Sequence, residues 1–175
     1  GIGELYVKGP NVMKGYLDDE EANAEVFVDG WFNTGDLCRI DDEGYLFITG
    51  RKKNVIVLKN GKNVYPEEIE DLFQMEDGIQ QITVQGYKAD KDGVAEEIEA
   101  LVYPSDSPYE SLSLVRTAGE TPEAVRKAVD ESIGKVNRKL LPYQRISKVT
   151  LLEKPLEMTT TLKVKRNYRS SAGGN

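Results

Sequence analysis

The 175 residues contain no histidine. Every mechanism built on imidazole is therefore excluded within the chain, whether Ser-His-Asp, Cys-His or His-held zinc, and its chemistry must run on Lys, Arg and carboxylates. A single cysteine, Cys38, cannot close an internal disulfide, which is compatible with a reducing compartment. Long apolar runs are missing too. The longest aliphatic stretch is Val55-Ile56-Val57-Leu58, far short of the ~18 residues of a membrane span. The opening Gly1-Ile2-Gly3-Glu4 has neither a basic region nor a signal core. Positive charge is the minority sign, with 23 Lys and Arg against 30 Asp and Glu for a net −7, so a nonspecific nucleic-acid binder is not expected. Cations still gather in two places, Arg51-Lys52-Lys53 and a tail containing Lys163, Lys165, Arg166 and Arg169.

What is present is a charged, foldable chain: 39% of residues are hydrophobic and 30% are charged, enough for one ordinary core or two small ones. The first fifty residues predict an all-β section. Short strands are expected at 4–7, 25–28, 31–34, 37–40 and 45–49, with a tight primed turn at Asp29-Gly30 and another turn at Asp42-Glu43-Gly44. Residues 55–58 and 62–64 predict one more hairpin across Asn60-Gly61.

Beyond this point the texture is mixed. Pro66, Glu67 and Glu68 suit the start of a helix, and Ile69, Leu72 and Phe73 recur at i, i+3, i+4. Strands are expected at 79–87 and 97–103, joined by the acidic turn Asp90-Lys91-Asp92-Gly93. A longer helix, capped by Thr121 and opened by Pro122, carries the stripe Ala124, Val125, Ala128, Val129, Ile133, Val136 and Leu140 and stops at Pro142. A last strand falls at 148–152. The predicted fold class is α+β: partial β-barrel hairpins over 1–50, a hinge at 51–53, and a small α+β domain over 54–175.

Several residues suit chemistry when weighed against ordinary uses. Asp36, on the loop Thr34-Gly35-Asp36, can accept hydrogen bonds from two neighbouring hydroxyls, although a turn Asp is the commoner role. Arg51 can bind hydroxyls or phosphate, although a surface salt bridge is the commoner use. Lys59-Asn60-Gly61-Lys62 looks like a phosphate nest with the spacing of an ordinary hairpin. Cys38 reads as a small core residue. In the tail, Thr159-Thr160-Thr161-Leu162-Lys163 sets hydroxyls beside a lysine able to deliver an ammonium to an anionic transition state, against the default of a solvated basic tail.

Taken in order, these signals are no longer independent. Gly15-Tyr16-Leu17, Asp29-Gly30-Trp31-Phe32-Asn33-Thr34-Gly35-Asp36-Leu37, Gly44-Tyr45-Leu46-Phe47-Ile48-Thr49-Gly50-Arg51, Gly61, Pro66-Glu67-Glu68-Ile69-Glu70 and Lys163 closely resemble the C-terminal third of adenylate-forming enzymes. That superfamily includes acyl-CoA synthetases, luciferases and nonribosomal peptide adenylation domains. The stretch from Arg51 to Glu70 most resembles the fatty acyl-CoA ligase branch.

The resemblance implies a carboxylic acid, fatty or otherwise, reacting with ATP to give acyl-adenylate, from which coenzyme A displaces AMP. Asp36 would hold the ribose hydroxyls, Arg51 would assist there, and Ile48 would lie against the nucleotide. Lys163 would bridge carboxylate and α-phosphate during adenylation. Lys53 falls at the family's hinge, around which the small lid domain turns to bring the Gly61 loop forward for thioester formation.

Magnesium is expected in the complete enzyme. Its ligands, the Ser/Thr/Gly-rich phosphate loop and the acyl pocket belong, by the same resemblance, upstream of Gly1, so that the isolated chain is expected to be inactive and no metal ligand is assigned within it. The family's usual glycine before the catalytic lysine is replaced by Leu162. Neither a nucleic-acid partner nor a transmembrane segment is expected, and the location expected is cytoplasmic, including the membrane periphery. Two alternatives stay open: an amino-acid adenylation domain delivering to a carrier protein, and a non-catalytic interaction module.

Overall fold

A computed structural model describes residues 1–88, 94–111, 113–117, 121–159, 164 and 166. The acidic turn at 90–93 and Leu162, Lys163, Lys165 and Arg169 lie outside the described residues. The chain divides into two compact units, Gly1–Val55 and Ile56–Asn175, which places 51–53 within the first.

The first unit is an open antiparallel sheet built on one long strand. Its elements are β1 (Ile2–Val7), α1 (Glu20–Val26), β2 (Phe27–Val28), β3 (Trp31–Ile40) and β4 (Leu46–Arg51). Strand β1 runs along one edge of β3, from Ile2 opposite Arg39 to Val7 opposite Phe32, while β2 and then β4 pair on the other. The expected turn is present: Asp29 and Gly30 both have positive φ, 51° and 77°, the geometry that matches strand twist in a two-residue hairpin. Helix α1 departs from the all-β expectation. Asp19 accepts the Ala22 N–H at 3.0 Å as an N-cap, Glu20 and Glu21 fill the acidic first turn, and Ala22 and Ala24 favour helix. Only Phe27 and Val28 of the expected 25–28 strand remain extended. The two strands expected at 31–34 and 37–40 are one.

The second unit carries β5 (Ile56–Val57), β6 (Asn63–Val64), α2 (Pro66–Asp71), β7 (Ile79–Tyr87), β8 (Glu97–Pro104), α3 (Ser107–Ser111), α4 (Glu123–Asn137) and β9 (Ile146–Leu151). The main sheet has the order β7-β8-β9; β7 is antiparallel and β9 parallel to the central β8. A parallel pair needs a long crossover, and the chain through α3 and α4 supplies it. Helix α4 buries Val125, Val129, Ile133 and Val136, each three or four residues after the last, and the latter three join a core that includes Val84, Ile98, Ala100 and Val102. Ala124 is exposed, so the stripe is narrower than expected.

Both ends of α4 differ from the sequence reading. The N-cap position is held by Pro122, whose carbonyl accepts from Val125 and Arg126, and not by Thr121. The helix stops at Asn137, five residues before Pro142, where the bonds tighten to Lys139 N–H on Val136 O at 2.8 Å. There the Asn137 amide both donates to and accepts from the Ile146 backbone, each at 2.9 Å, and so joins the helix end to the start of β9.

Candidate active site

Thr34-Gly35-Asp36, expected as a loop, is an irregular stretch inside β3, opposite the register shift of β1 between Glu4 and Tyr6, and it is shaped by its own polar side chains. Asn33 Oδ1 accepts from the Gly35 N–H at 2.9 Å and Thr34 Oγ1 from the Asp36 N–H at 3.1 Å, local turns of the kind that Asn and Thr favour. The Thr34 hydroxyl donates on to Leu5 O, and the Asn33 amide to Glu4 and Tyr6, so β1 backs this stretch. Glu4 in turn pairs with Lys52. The hydrogen bond from Lys52 holds the Glu4 carboxyl below its ordinary value, and the same contact raises Lys52. Gly35 has φ +70°, and a Cβ there would sit 3.3 Å from Arg51 Nη2, so glycine serves both the turn and the space.

Asp36 and Arg51 are register partners, and Arg51 Nη1 lies 2.8 Å from Asp36 Oδ1. Among the described residues Asp36 Oδ2 has no hydrogen-bond partner, and the Asp36 side chain is 26% exposed. A carboxylate with one oxygen neutralised by a guanidinium and the other turned outward is a double acceptor fitted to neighbouring hydroxyls.

Ile48 joins this face through an irregularity. The β3–β4 register shifts by one residue, Leu37 pairing with Gly50 but Cys38 with Ile48, which leaves Thr49 as the extra residue of β4. In a regular strand Ile48 and Arg51, three apart, would point to opposite faces. The extra residue restores them to the face shared by Cys38 and Asp36, two apart on β3. The buried Thr49 hydroxyl donates to Leu37 O at 3.1 Å and ties down the bulge. Ile48 is 56% exposed, leaving apolar surface beside the ion pair.

Lys53 and Gly61 belong to other parts of the chain. Lys53 is exposed in the 3-10 turn Lys52–Asn54. Gly61, at φ +76°, turns the β5–β6 hairpin in the second unit, where its N–H donates to Leu58 O at 2.8 Å. The segment 59–62 is thus the ordinary hairpin that its spacing suggests, and Cys38 is a buried strand residue. Lys163 lies outside the described residues. Among the described residues no group of three or more Cys, Asp or Glu side chains is placed to hold a metal ion, and no helix is long and apolar enough to cross a membrane.

Two polar clusters of the second unit have no local sequence signal. Glu99, 5% exposed on β8, accepts from Thr150 Oγ1 at 2.7 Å, Gln85 Nε2 at 3.0 Å and Lys148 Nζ at 2.9 Å. Burial acts to raise its carboxyl, but the three hydrogen bonds outweigh that and bring it below the ordinary value. Glu70 on α2 meets Arg166 at 2.5 Å. Both groupings join residues from different elements, so only the folded register brings them together.

In this chain an open antiparallel sheet that carries the Asp36–Arg51 pair is followed in sequence by a small α+β unit. Residues 53–171 match the family model described as AMP-binding enzyme C-terminal domain, and the chain belongs to that family. The chain is 35% identical over 172 residues to the long-chain-fatty-acid–CoA ligase FadD15 of Mycobacterium tuberculosis, covering 94% of this chain and 28% of the relative. It is 42% identical over 84 residues to a 2-succinylbenzoate–CoA ligase of Listeria innocua, covering 48% of this chain and 18% of the relative. Among solved structures, the O-succinylbenzoate coenzyme A synthetase of Bacillus subtilis, in complex with ATP and magnesium ion, superposes with a TM-score of 0.70 at 29% identity, covering 96% of this chain and 30% of that one. The chain thus spans under a third of the length of these relatives.

Proposed function

We propose that this chain is the C-terminal part of an AMP-forming acid–CoA ligase whose acid is a fatty acid or a related carboxylic acid. The observation that carries the reading is the Asp36–Arg51 pair, with one Asp36 oxygen open to hydroxyls, in a chain similar over most of its length to a long-chain-fatty-acid–CoA ligase. Asp36 accepts from the ribose hydroxyls of ATP, Arg51 fixes the carboxylate and donates nearby, and Ile48 gives an apolar wall. The acid's carboxylate oxygen attacks the α-phosphorus, the bond from that phosphorus to the α,β-bridging oxygen breaks, pyrophosphate leaves and an acyl-adenylate forms. The thiol of coenzyme A then attacks the acyl carbon, loses its proton and expels AMP.

In this reading Lys163 supplies positive charge where the pentavalent centre builds negative charge. Lys53 is the hinge, and the Gly61 turn belongs to the thioester step. Magnesium is expected with ATP, with ligands supplied from outside this chain. The cell location follows the expectation of a cytoplasmic enzyme.

The test is acid-dependent formation of AMP and pyrophosphate by the full-length protein, offered ATP, coenzyme A and a panel of short, medium and long fatty acids and aromatic acids. Turnover with an acyl-CoA product supports the reading, and the preferred acid names the substrate. Pyrophosphate exchange that responds only to an amino acid, with transfer to a carrier protein, would favour the adenylation-domain alternative. No AMP with any acid would overturn the enzyme.

A further inference from the structure

Strand β7 is an edge of its sheet, and an edge strand presents amide and carbonyl groups that no further strand satisfies. At Val84 both groups are taken by side chains from distant parts of the unit. The Val84 N–H donates to Glu70 Oε1 at 2.6 Å, and the Val84 carbonyl accepts from Arg166 Nη1 at 3.1 Å. These two side chains then meet each other: Arg166 Nη2 lies 2.5 Å from Glu70 Oε2, with Glu67 Oε1 at 3.5 Å. Thr83 Oγ1 adds a 3.3 Å bond to Glu70. The result is a closed ring of three partners that uses both arms of the guanidinium, which the point charge of a lysine cannot reproduce.

The chain leading up to Arg166 is fastened to the same strand. The N–H of Leu156, a residue only 2% exposed, donates to Gln81 Oε1 at 2.6 Å. Met158 and Val164 form an antiparallel bridge. Residues 156 and 166 are therefore both anchored on β7, at Gln81 and at Val84, with Lys163 three residues before the second anchor.

We propose that Glu70 and Arg166 form a clasp that fixes the C-terminal side of the 156–166 segment to β7, which makes Arg166 a positioning residue for the adenylation half-reaction. The proposal rests on the assignment of Lys163 made above. A contact that only sealed the sheet edge would stabilise the unit and affect both half-reactions alike. A contact that positions the segment affects the half-reaction that uses Lys163. Displacing a reacting group by ~1 Å from a remote site costs on the order of 10²-fold in rate.

The experiment uses the full-length protein and four variants: Arg166→Ala, Arg166→Lys, Glu70→Gln and the double Glu70→Gln/Arg166→Ala, with Lys163→Ala alongside. Acid-dependent pyrophosphate exchange reads adenylation, thioester formation from supplied acyl-adenylate reads the second step, and thermal unfolding reads the fold. Arg166→Ala and Glu70→Gln are each expected to lower kcat of adenylation by about 10- to 100-fold, with thioester formation within about two-fold of wild type. Arg166→Lys should recover only part of the loss, and the double variant should lose no more than the worse single, because the two side chains act as one unit.

Equal loss in both half-reactions, additive single losses, or unchanged adenylation in folded variants each overturns the clasp. If Arg166→Ala fails to fold, the nearly isosteric Glu70→Gln carries the same readings. A Lys163→Ala protein with intact adenylation overturns the Lys163 assignment instead, whatever the clasp variants do. Hydrogen exchange on the 175-residue chain gives a readout apart from activity. Arg166→Lys should speed exchange in peptides covering 156–166 and leave α4 unchanged, and equal protection in wild type and variant also overturns the clasp.

Discussion

Asp36 and Arg51 face one another across the β3–β4 register and meet in an ion pair of 2.8 Å that leaves the second Asp36 oxygen unpartnered among the described residues. The pair is partly exposed, so its contribution to stability is small, about 0–1 kcal/mol. Its value lies in holding an acceptor in place. Asp36→Ala and Asp36→Asn in the full-length protein should therefore barely move the thermal midpoint while raising KM for ATP. Hydrogen bonds to a charged acceptor contribute about 1.5–3 kcal/mol, which corresponds to roughly 10- to 150-fold in affinity. Unchanged ATP dependence in Asp36→Ala, measured by pyrophosphate exchange over a range of ATP concentrations, would remove Asp36 from the site.

How this face is assembled shows what a sequence can carry. The turn at Asp29-Gly30, the glycine of Gly35-Asp36 and the part of the α4 stripe from Val125 to Val136 are local preferences, and all three are legible in the sequence. The bulge at Thr49 is not, because an extra residue in a pairing is a property of two strands together, and nothing in Phe47-Ile48-Thr49-Gly50 marks it. Helix α1 is hidden for a different reason: its last residue, Val26, runs on into the apolar Phe27 and Val28 of β2 and fits the same short strand, and only the Asp19 cap and the acidic first turn distinguish the two. Glu99 and Glu70 each find partners across 51 and 96 residues of chain, beyond any windowed pattern.

Gly86 on β7 is required by space. A Cβ there would stand 2.6 Å from the Ala95 Cβ and 3.1 Å from Ile56 Cγ2, inside the core of the second unit. Gly86→Ala should destabilise the chain by about 1–3 kcal/mol through overpacking, read by urea or thermal unfolding. Adding Ala95→Gly in the same chain should recover part of that loss. A neutral Gly86→Ala would mean that β7 and the Ala95 segment separate without cost.

Glu99 makes stability depend on pH. Its carboxyl titrates lower in the fold than in the unfolded chain, so its contribution is present above the unfolded pKa and is lost as pH falls through the folded one. Glu99→Gln removes the charge that Lys148 meets and should cost about 1–3 kcal/mol near neutral pH. The gap between the wild-type and Glu99→Gln thermal midpoints should shrink steadily as the medium is acidified below the ordinary carboxylate range. A gap that stays constant would assign the loss to packing alone.

Lys53 stands in the 3-10 turn Lys52–Asn54, one residue before the end of that turn. Proline at this position fixes φ, removes the N–H and drives Lys52 away from helical backbone angles. If the turn is the hinge, Lys53→Pro in the full-length protein should depress one half-reaction more than the other, by about 10-fold or greater, as expected of a gating position. Equal, modest losses in pyrophosphate exchange and in thioester formation would make Lys53 an ordinary surface residue.

Lys163 must be distinguished from cations close to it in sequence, Lys165 and Arg166. Arg166 is already committed, its guanidinium divided between Glu70 and the Val84 carbonyl, and so it cannot substitute for a missing ammonium. Lys165 is two residues on in sequence and is the second cation to be tested. Lys163→Ala in the full-length protein should therefore cost adenylation at least about 10²- to 10³-fold, the loss expected when one preorganised contact to developing charge is removed. Thioester formation from supplied acyl-adenylate should largely survive, and Lys165→Ala should cost far less in either step. If Lys163→Ala and Lys165→Ala prove equally mild in pyrophosphate exchange, the tail is a solvated basic segment. If Lys163→Ala abolishes both half-reactions together, the lysine anchors the tail instead of acting on the phosphate, and a role confined to adenylation fails.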